Sequence, residues 1–123
     1  MKKVLVVDDS ATMRRMIIAT LGRLDGVAFD QAVSGLGAIE RVTLDQADMV
    51  ILDLNMPDVH GLEVLKFIRN QQSLRELPVV ILTTRGDEAS RAAALAAGAT
   101  VYLTKPFSPE GIVEEVQRLL QLA

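Results

Sequence analysis

The stretch Met49-Val50-Ile51-Leu52-Asp53 constrains the fold of this chain more than any other. Four apolar residues run without alternation into a carboxylate. A strand with one wet face alternates and a strand covered on both faces does not, so Met49 to Asp53 predicts a parallel-sheet strand with helices above and below it. Pro57 has no N–H for a ladder and ends the strand near Asp53. A carboxylate at the carboxyl end of a central parallel strand lies where open α/β sheets bind ligands. Taken alone, Asp53 could also simply cap the next turn.

The rest of the chain repeats that theme. Val4-Leu-Val-Val7 is a second unalternating strand, followed by Asp8-Asp9-Ser10. Ser10 or Asp9 can cap a helix whose apolar face is Met13, Met16, Ile17, Leu21 and Leu24, with Arg14, Arg15 and Arg23 off that face and solvated. A strand over 27–33 precedes a helix opened by Ser34-Gly35-Leu36-Gly37, which buries Leu36, Ile39 and Val42 and stops before Asp45. After the central strand and the loop from Asn55 to Gly61, a helix from Leu62 to about Gln71 buries Leu62, Leu65 and Ile68. Val79 to Thr83 is the fourth strand, and Asp87 caps an alanine-rich helix reaching Ala97, with Gly98 fitted to its C′ position. Val101 to Thr104 leads to Lys105-Pro106-Phe107. Ser108-Pro109 then begins a last helix with Ile112, Val113, Val116, Leu119 and Leu120 on one face. Five strands alternating with five helices predict an α/β domain over 1–123, an open parallel sheet with helices on both faces.

Composition narrows the function. A net charge of −3 disfavours a nucleic-acid surface, which normally needs a basic patch. The absence of cysteine excludes disulfides, zinc-thiolate sites and thiol catalysis. The N-terminus lacks the apolar core of a signal peptide, and no segment approaches the roughly 18 apolar residues of a membrane span. A cytoplasmic domain with no membrane insertion is the expectation.

The polar residues that look costly all stand at carboxyl ends of predicted strands: Asp8 and Asp9, Asp53, Thr83 and Thr84, and Thr104 with Lys105. In a parallel sheet these ends share one edge. Crowded carboxylates repel unless a cation intervenes, and magnesium takes one or two carboxylates together with waters and a phosphate oxygen. Lys105 adds a positive charge and Thr83 a hydroxyl. The set describes a phosphoryl site with Asp53 as nucleophile. Each residue alone has an ordinary explanation, as a helix cap, a strand residue or a surface lysine. Their arrival on one edge does not.

These motifs, Val7-Asp8-Asp9-Ser10, Asp53-Leu-Asn-Met-Pro57 with Gly61, Thr83-Thr84 and Lys105-Pro106-Phe107, resemble the receiver domain of two-component response regulators in order and spacing over essentially the whole chain. The run Asp8-Asp9-Ser-Ala-Thr-Met13-Arg14-Arg15 is similar to that of its single-domain chemotaxis members. The resemblance implies a flavodoxin-like (βα)5 three-layer sandwich with strand order 2-1-3-4-5. It implies that Asp53 accepts a phosphoryl group from a sensor histidine kinase or a histidine phosphotransfer protein. It also implies one Mg2+ held by Asp9, Asp53 and the Asn55 main-chain carbonyl, with Asp8 acting through water. Thr83 and Lys105 would contact the phosphoryl group. Tyr102, at the family's aromatic switch position, would turn inward as Thr83 moves; from its strand setting alone it reads as a half-buried aromatic. A downstream effector protein would read the face made by the fourth helix, fifth strand and fifth helix. The chain would then be no enzyme, acting only on itself through phosphorylation and slow autodephosphorylation.

Some residues depart from the family pattern. His60 stands where an acidic residue is usual and reads as a solvated loop residue. Arg85, two residues past Thr83, leaves the phosphoryl lifetime open. Gly35-Leu-Gly37-Ala-Ile-Glu40 begins like a dinucleotide fingerprint but has Glu in place of its third glycine, and reads as a loop and helix start. Two other functions compete. The chain could be the receiver of a larger regulator with a DNA-binding or enzymatic output. It could also be an aspartyl-phosphate phosphatase of haloacid-dehalogenase type, against which Asn55 stands where such enzymes carry a second Asp.

Overall fold

The computed structural model describes residues 1–122. In chain order the elements are β1 (Lys2–Val7), α1 (Ala11–Leu21), β2 (Val27–Ala32), α2 (Gly35–Leu44), β3 (Met49–Leu52), α3 (Gly61–Asn70), a single 3-10 turn (Gln72–Leu74), β4 (Val79–Thr83), α4 (Glu88–Ala96), β5 (Val101–Thr104) and α5 (Pro109–Leu119). The strands form one parallel sheet in the order β2-β1-β3-β4-β5, the flavodoxin-like (βα)5 sandwich.

The unbroken apolar runs feed two cores at once. Leu5, Val7, Val50, Leu52, Val79 and Ile81 pack with α2, α3 and α4. Their chain neighbours Val4, Val6, Met49, Ile51, Val80 and Leu82 pack with α1 and α5. Every residue of β3 and β4 is therefore buried. At about 25 cal/mol per Å2 of apolar surface, each of the apolar side chains among them contributes roughly 1.5–3 kcal/mol of burial.

Two residues depart from the expected helical phase and one from the expected strand end. Met16 is 49% exposed because α1 turns Ile17 and Leu21, four residues apart, into the core. Leu36 is 62% exposed. The inward face of α2 is Gly35, Ala38 and Val42, and Gly35 lies so close to Val59 that a Cβ there would sit 2.6 Å from it. Val33 is 57% exposed, since β2 ends at Ala32, whose carbonyl accepts the Asp8 N–H. The caps fall at Ser10, Ser34, Asp87 and Ser108, each accepting a backbone N–H from the first turn that follows. Gly98 has φ +107° after α4, the left-handed conformation that suits glycine.

Candidate functional site

Four strands deliver the site. β1 ends at Val7 and hands the chain to Asp8 and Asp9. β3 ends at Leu52, and the Asp53 N–H still bonds the Val7 carbonyl at 3.1 Å. β4 ends in Thr83, which pairs with Thr104 on β5, and Lys105 N–H bonds the Thr83 carbonyl at 2.8 Å. The parallel register thus brings Asp8, Asp53, Thr83 and Lys105 to one edge, although 97 residues separate Asp8 from Lys105.

Lys105 is the centre of the arrangement. Its Nζ lies 2.7 Å from Asp8 Oδ2 and 3.1 Å from Asp53 Oδ2, and the three side chains are only 9%, 2% and 6% exposed. Burial draws the ammonium pKa down, but the hydrogen bonds and charges of Asp8 and Asp53 outweigh it, so the net shift is upward. The ordinary alternative, a solvated surface lysine, does not hold here; buried carboxylates need a paired cation, and Lys105 supplies it. The Lys105–Pro106 bond is cis.

Asp8, Asp9 and Asp53 each offer a carboxylate oxygen, and these oxygens all lie within 4.8 Å of one another. Asp9 is exposed while the other two are buried, which leaves one open side. An all-oxygen, carboxylate-rich donor set suits a hard divalent cation such as magnesium. The residues present therefore fit the ion that the sequence implied. Asn55 follows on the same loop, its N–H 3.3 Å from Asp53 Oδ1.

Thr83 is fully buried, and its hydroxyl accepts the Arg85 N–H at 3.3 Å. Tyr102 is more enclosed than a half-buried strand aromatic, at 8% exposure, and its hydroxyl donates to the Arg85 carbonyl at 2.6 Å. Burial first, and then the Asp87 charge, raise its pKa. The Arg85 side chain reaches Ser90 Oγ at 3.2 Å, turning along the start of α4. His60 is exposed as expected, but it also caps α3, its Nδ1 accepting the Leu62 N–H at 3.1 Å.

The sequence reading missed two residues. Arg14, expected to be solvated, donates to the Asp8 carbonyl at 2.7 Å and to Gln31 Oε1 at 2.9 Å, and so braces the backbone that carries Asp8 and Asp9. Arg15 and Arg23 are exposed, as read. Asp58, on the loop after β3, accepts the N–H groups of Gly35 and Leu36. That carboxylate occupies the helix start that a dinucleotide phosphate would need, in keeping with the loop reading of Gly35 to Glu40.

Comparison with known proteins agrees with this geometry. The family described as the response regulator receiver domain matches residues 4–117. Chemotaxis protein CheY1 of Helicobacter pylori (strain ATCC 700392 / 26695) is 39% identical over 119 residues, which span 96% of this chain and 96% of that one. Transcriptional regulatory protein ResD of Bacillus subtilis is 40% identical over 121 residues, covering 98% of this chain but 49% of ResD. Among solved structures, chemotaxis protein CheY4 of Vibrio cholerae superposes with a TM-score of 0.88 at 36% identity, over 97% of this chain and 98% of that one.

Proposed function

The chain belongs to the response regulator receiver domain family, and from that premise we propose that it is a two-component signalling switch whose state is set by phosphorylation of Asp53. The donor is the phosphohistidine of a sensor histidine kinase or a histidine phosphotransfer protein. The observation that carries the reading is the buried Lys105 ammonium shared between Asp8 and Asp53, 2.7 and 3.1 Å away.

A carboxylate oxygen of Asp53 attacks the phosphorus, the P–N bond breaks, and its electron pair leaves on the imidazole nitrogen. Lys105 offsets the charge that gathers on the phosphoryl oxygens, and the Thr83 hydroxyl donates to one of them. Magnesium, held by Asp9, Asp53 and the Asn55 main-chain carbonyl with Asp8 acting through water, would supply further neutralisation of that charge. Asp53 modified in this way gains about −1.5 to −2 charges and three acceptor oxygens. Drawn toward that group, Thr83 gives up the Arg85 N–H, and the segment that Tyr102 holds through the Arg85 carbonyl is released to rearrange. A partner that prefers the rearranged face of α4, β5 and α5 then reads the signal. Moving such an equilibrium from 1:99 to 99:1 takes about 5.5 kcal/mol, within reach of several charge-assisted hydrogen bonds.

The chain acts on itself and turns over no substrate. Asn55, where a phosphatase would place a carboxylic acid, supplies no proton to a leaving group. Loss of the phosphoryl group is slow attack by water at the same site. A second setting is supported by the match to the transcriptional regulatory protein ResD, about half of which aligns with this chain; it changes the listener and leaves Asp53 in its role.

The test is incubation with a small acyl phosphate and magnesium, followed by intact mass measurement. The wild-type chain should gain one acid-labile phosphoryl group, and Asp53→Asn should gain none. Incorporation that persists in Asp53→Asn would refute the assignment.

A further inference from the structure

Asp58 looks like an ordinary loop carboxylate in sequence, yet it is bound to a different part of the chain. Its Oδ1 accepts the Gly35 N–H and its Oδ2 the Leu36 N–H, both at 3.0 Å, across 23 and 22 residues. The first N–H groups of a helix have no partner within it. At α2 they are shared out: Asp58 takes those of residues 35 and 36, and Ser34 Oγ takes that of Gly37 at 3.0 Å. Leu36 N–H and then Gly35 N–H hold the Asp58 carboxyl at about 2, against its usual 3.8. Gly35 completes the join, because Val59 stands where its Cβ would be.

The other end of the loop is closed independently. Gly61 N–H bonds the Leu54 carbonyl at 2.8 Å, and a Cβ on Gly61 would fall 2.3 Å from the Asp53 carbonyl oxygen. Asn55-Met56-Pro57 lies between the Leu54 carbonyl that Gly61 holds and the Asp58 carboxylate that α2 holds. The Asn55 N–H on Asp53 Oδ1 at 3.3 Å and the packing of Met56 against the core hold the start of this stretch, and the limb that Asp58 pins holds its end.

We infer that Asp58 is a positioning residue for the phosphoryl site: by clamping the β3–α3 loop to the N-terminus of α2, it holds the Asn55 main-chain carbonyl ready to ligate the divalent cation. This rests on the phosphoryl-site reading for the role of Asn55. A mere helix cap would act differently, and Ser34 provides the comparison, since its hydroxyl caps the same helix by bonding the Gly37 N–H and not the loop.

The experiment compares Asp58→Ala, Asp58→Asn and Ser34→Ala with the wild-type chain. Amide exchange at Asn55 and Met56, followed by NMR without metal, should quicken in Asp58→Ala and stay at the wild-type rate in Ser34→Ala. Magnesium affinity, measured by calorimetric titration, should fall roughly ten-fold in Asp58→Ala, the scale of losing an outer-shell support. Asp58→Asn, which keeps one acceptor oxygen, should fall between. Equal exchange and equal magnesium affinity in Asp58→Ala and the wild-type chain would overturn the inference. A wild-type chain whose magnesium affinity is absent, or survives Asp53→Asn, would instead overturn the phosphoryl-site reading; the exchange data need no metal and still report on the clamp.

Discussion

The loops that follow β3 and β4 leave neighbouring strands on the same edge of the sheet, and they are held in opposite ways. The β3–α3 loop is fastened at both limbs, by Asp58 on α2 and by Gly61 against the Asp53 backbone. The β4–α4 segment has Thr84, Arg85, Gly86 and Asp87 all exposed, and the helix it feeds buries Ala94 as its one fully enclosed residue. Its ties are local or single: the Arg85 N–H on Thr83, the Arg85 side chain on Ser90 Oγ, the Asp87 cap on Ser90, and the Tyr102 hydroxyl on the Arg85 carbonyl. A switch needs both kinds of loop. Chemistry requires ligands that stay in place as charge changes, whereas signalling requires a segment whose alternatives differ by only a few kcal/mol.

Two glycines give the contrast its strongest test. Gly61→Ala drives a Cβ into the Asp53 backbone, at 2.3 Å from its carbonyl oxygen and 2.7 Å from Leu54 Cα, where no flexible side chain can yield. The expected loss is about 3 kcal/mol or more, read as a fall in the urea midpoint. Gly86→Ala meets nothing nearer than Thr104 Cγ2 at 3.7 Å. It should leave stability unchanged or raise it by roughly 0.4–1 kcal/mol, through reduced freedom of the unfolded chain. Equal losses at the two positions would mean that the two loops are equally constrained.

A smaller effect separates the loops dynamically. Tyr102→Phe removes the 2.6 Å hydrogen bond to the Arg85 carbonyl and keeps the ring. Stability should fall by about 1 kcal/mol. Amide exchange should quicken at residues 84–87 and remain at wild-type rates at residues 54–56. Quickening in both loops would show that Tyr102 braces the whole edge.

How far this asymmetry could be read beforehand follows from the physics of each contact. The sheet was legible because covering a strand on both faces demands apolar residues at consecutive positions, and Met49 to Leu52 and Val79 to Leu82 display that demand directly. Asp8, Asp53, Thr83 and Lys105 were legible as a group because parallel strands put their carboxyl ends on one edge, so position along the strand sufficed. Met16 and Leu36 were misjudged because an apolar residue one step from the buried stripe satisfies much of the same helical pattern; only the packed neighbour, such as Val59 on Gly35, chooses between phases. Asp58 and Arg14 were invisible for a different reason. The contacts that tie them to the site are with main-chain atoms, the N–H groups of residues 35 and 36 and the carbonyl of Asp8, and these carry no residue-type signal.

The clamp also makes a prediction about acid, the smallest of these effects. Asp58 has its carboxyl held at about 2 in the fold, below the ordinary 3.8. A lowered folded value means that the ionised form is bound more tightly by the native state than by the unfolded chain. The stability it contributes is therefore complete above about pH 4 and is lost as pH falls through about 2. The urea midpoints of the wild-type chain and Asp58→Asn should differ by a constant amount from neutral pH down to about pH 5. They should converge between about pH 4 and pH 2, because the protonated acid and the amide then accept similarly weakly from α2. Asp87 on the freer segment is also held low, chiefly by the Ser90 hydroxyl and then the Ser90 N–H, so Asp87→Asn should converge with the wild-type chain in the same direction. A Asp58→Asn difference that survives at pH 2, or has vanished by pH 5, would place the stabilising contact elsewhere than on the Asp58 carboxylate, and the β3–α3 loop would lose its distinction from its neighbour.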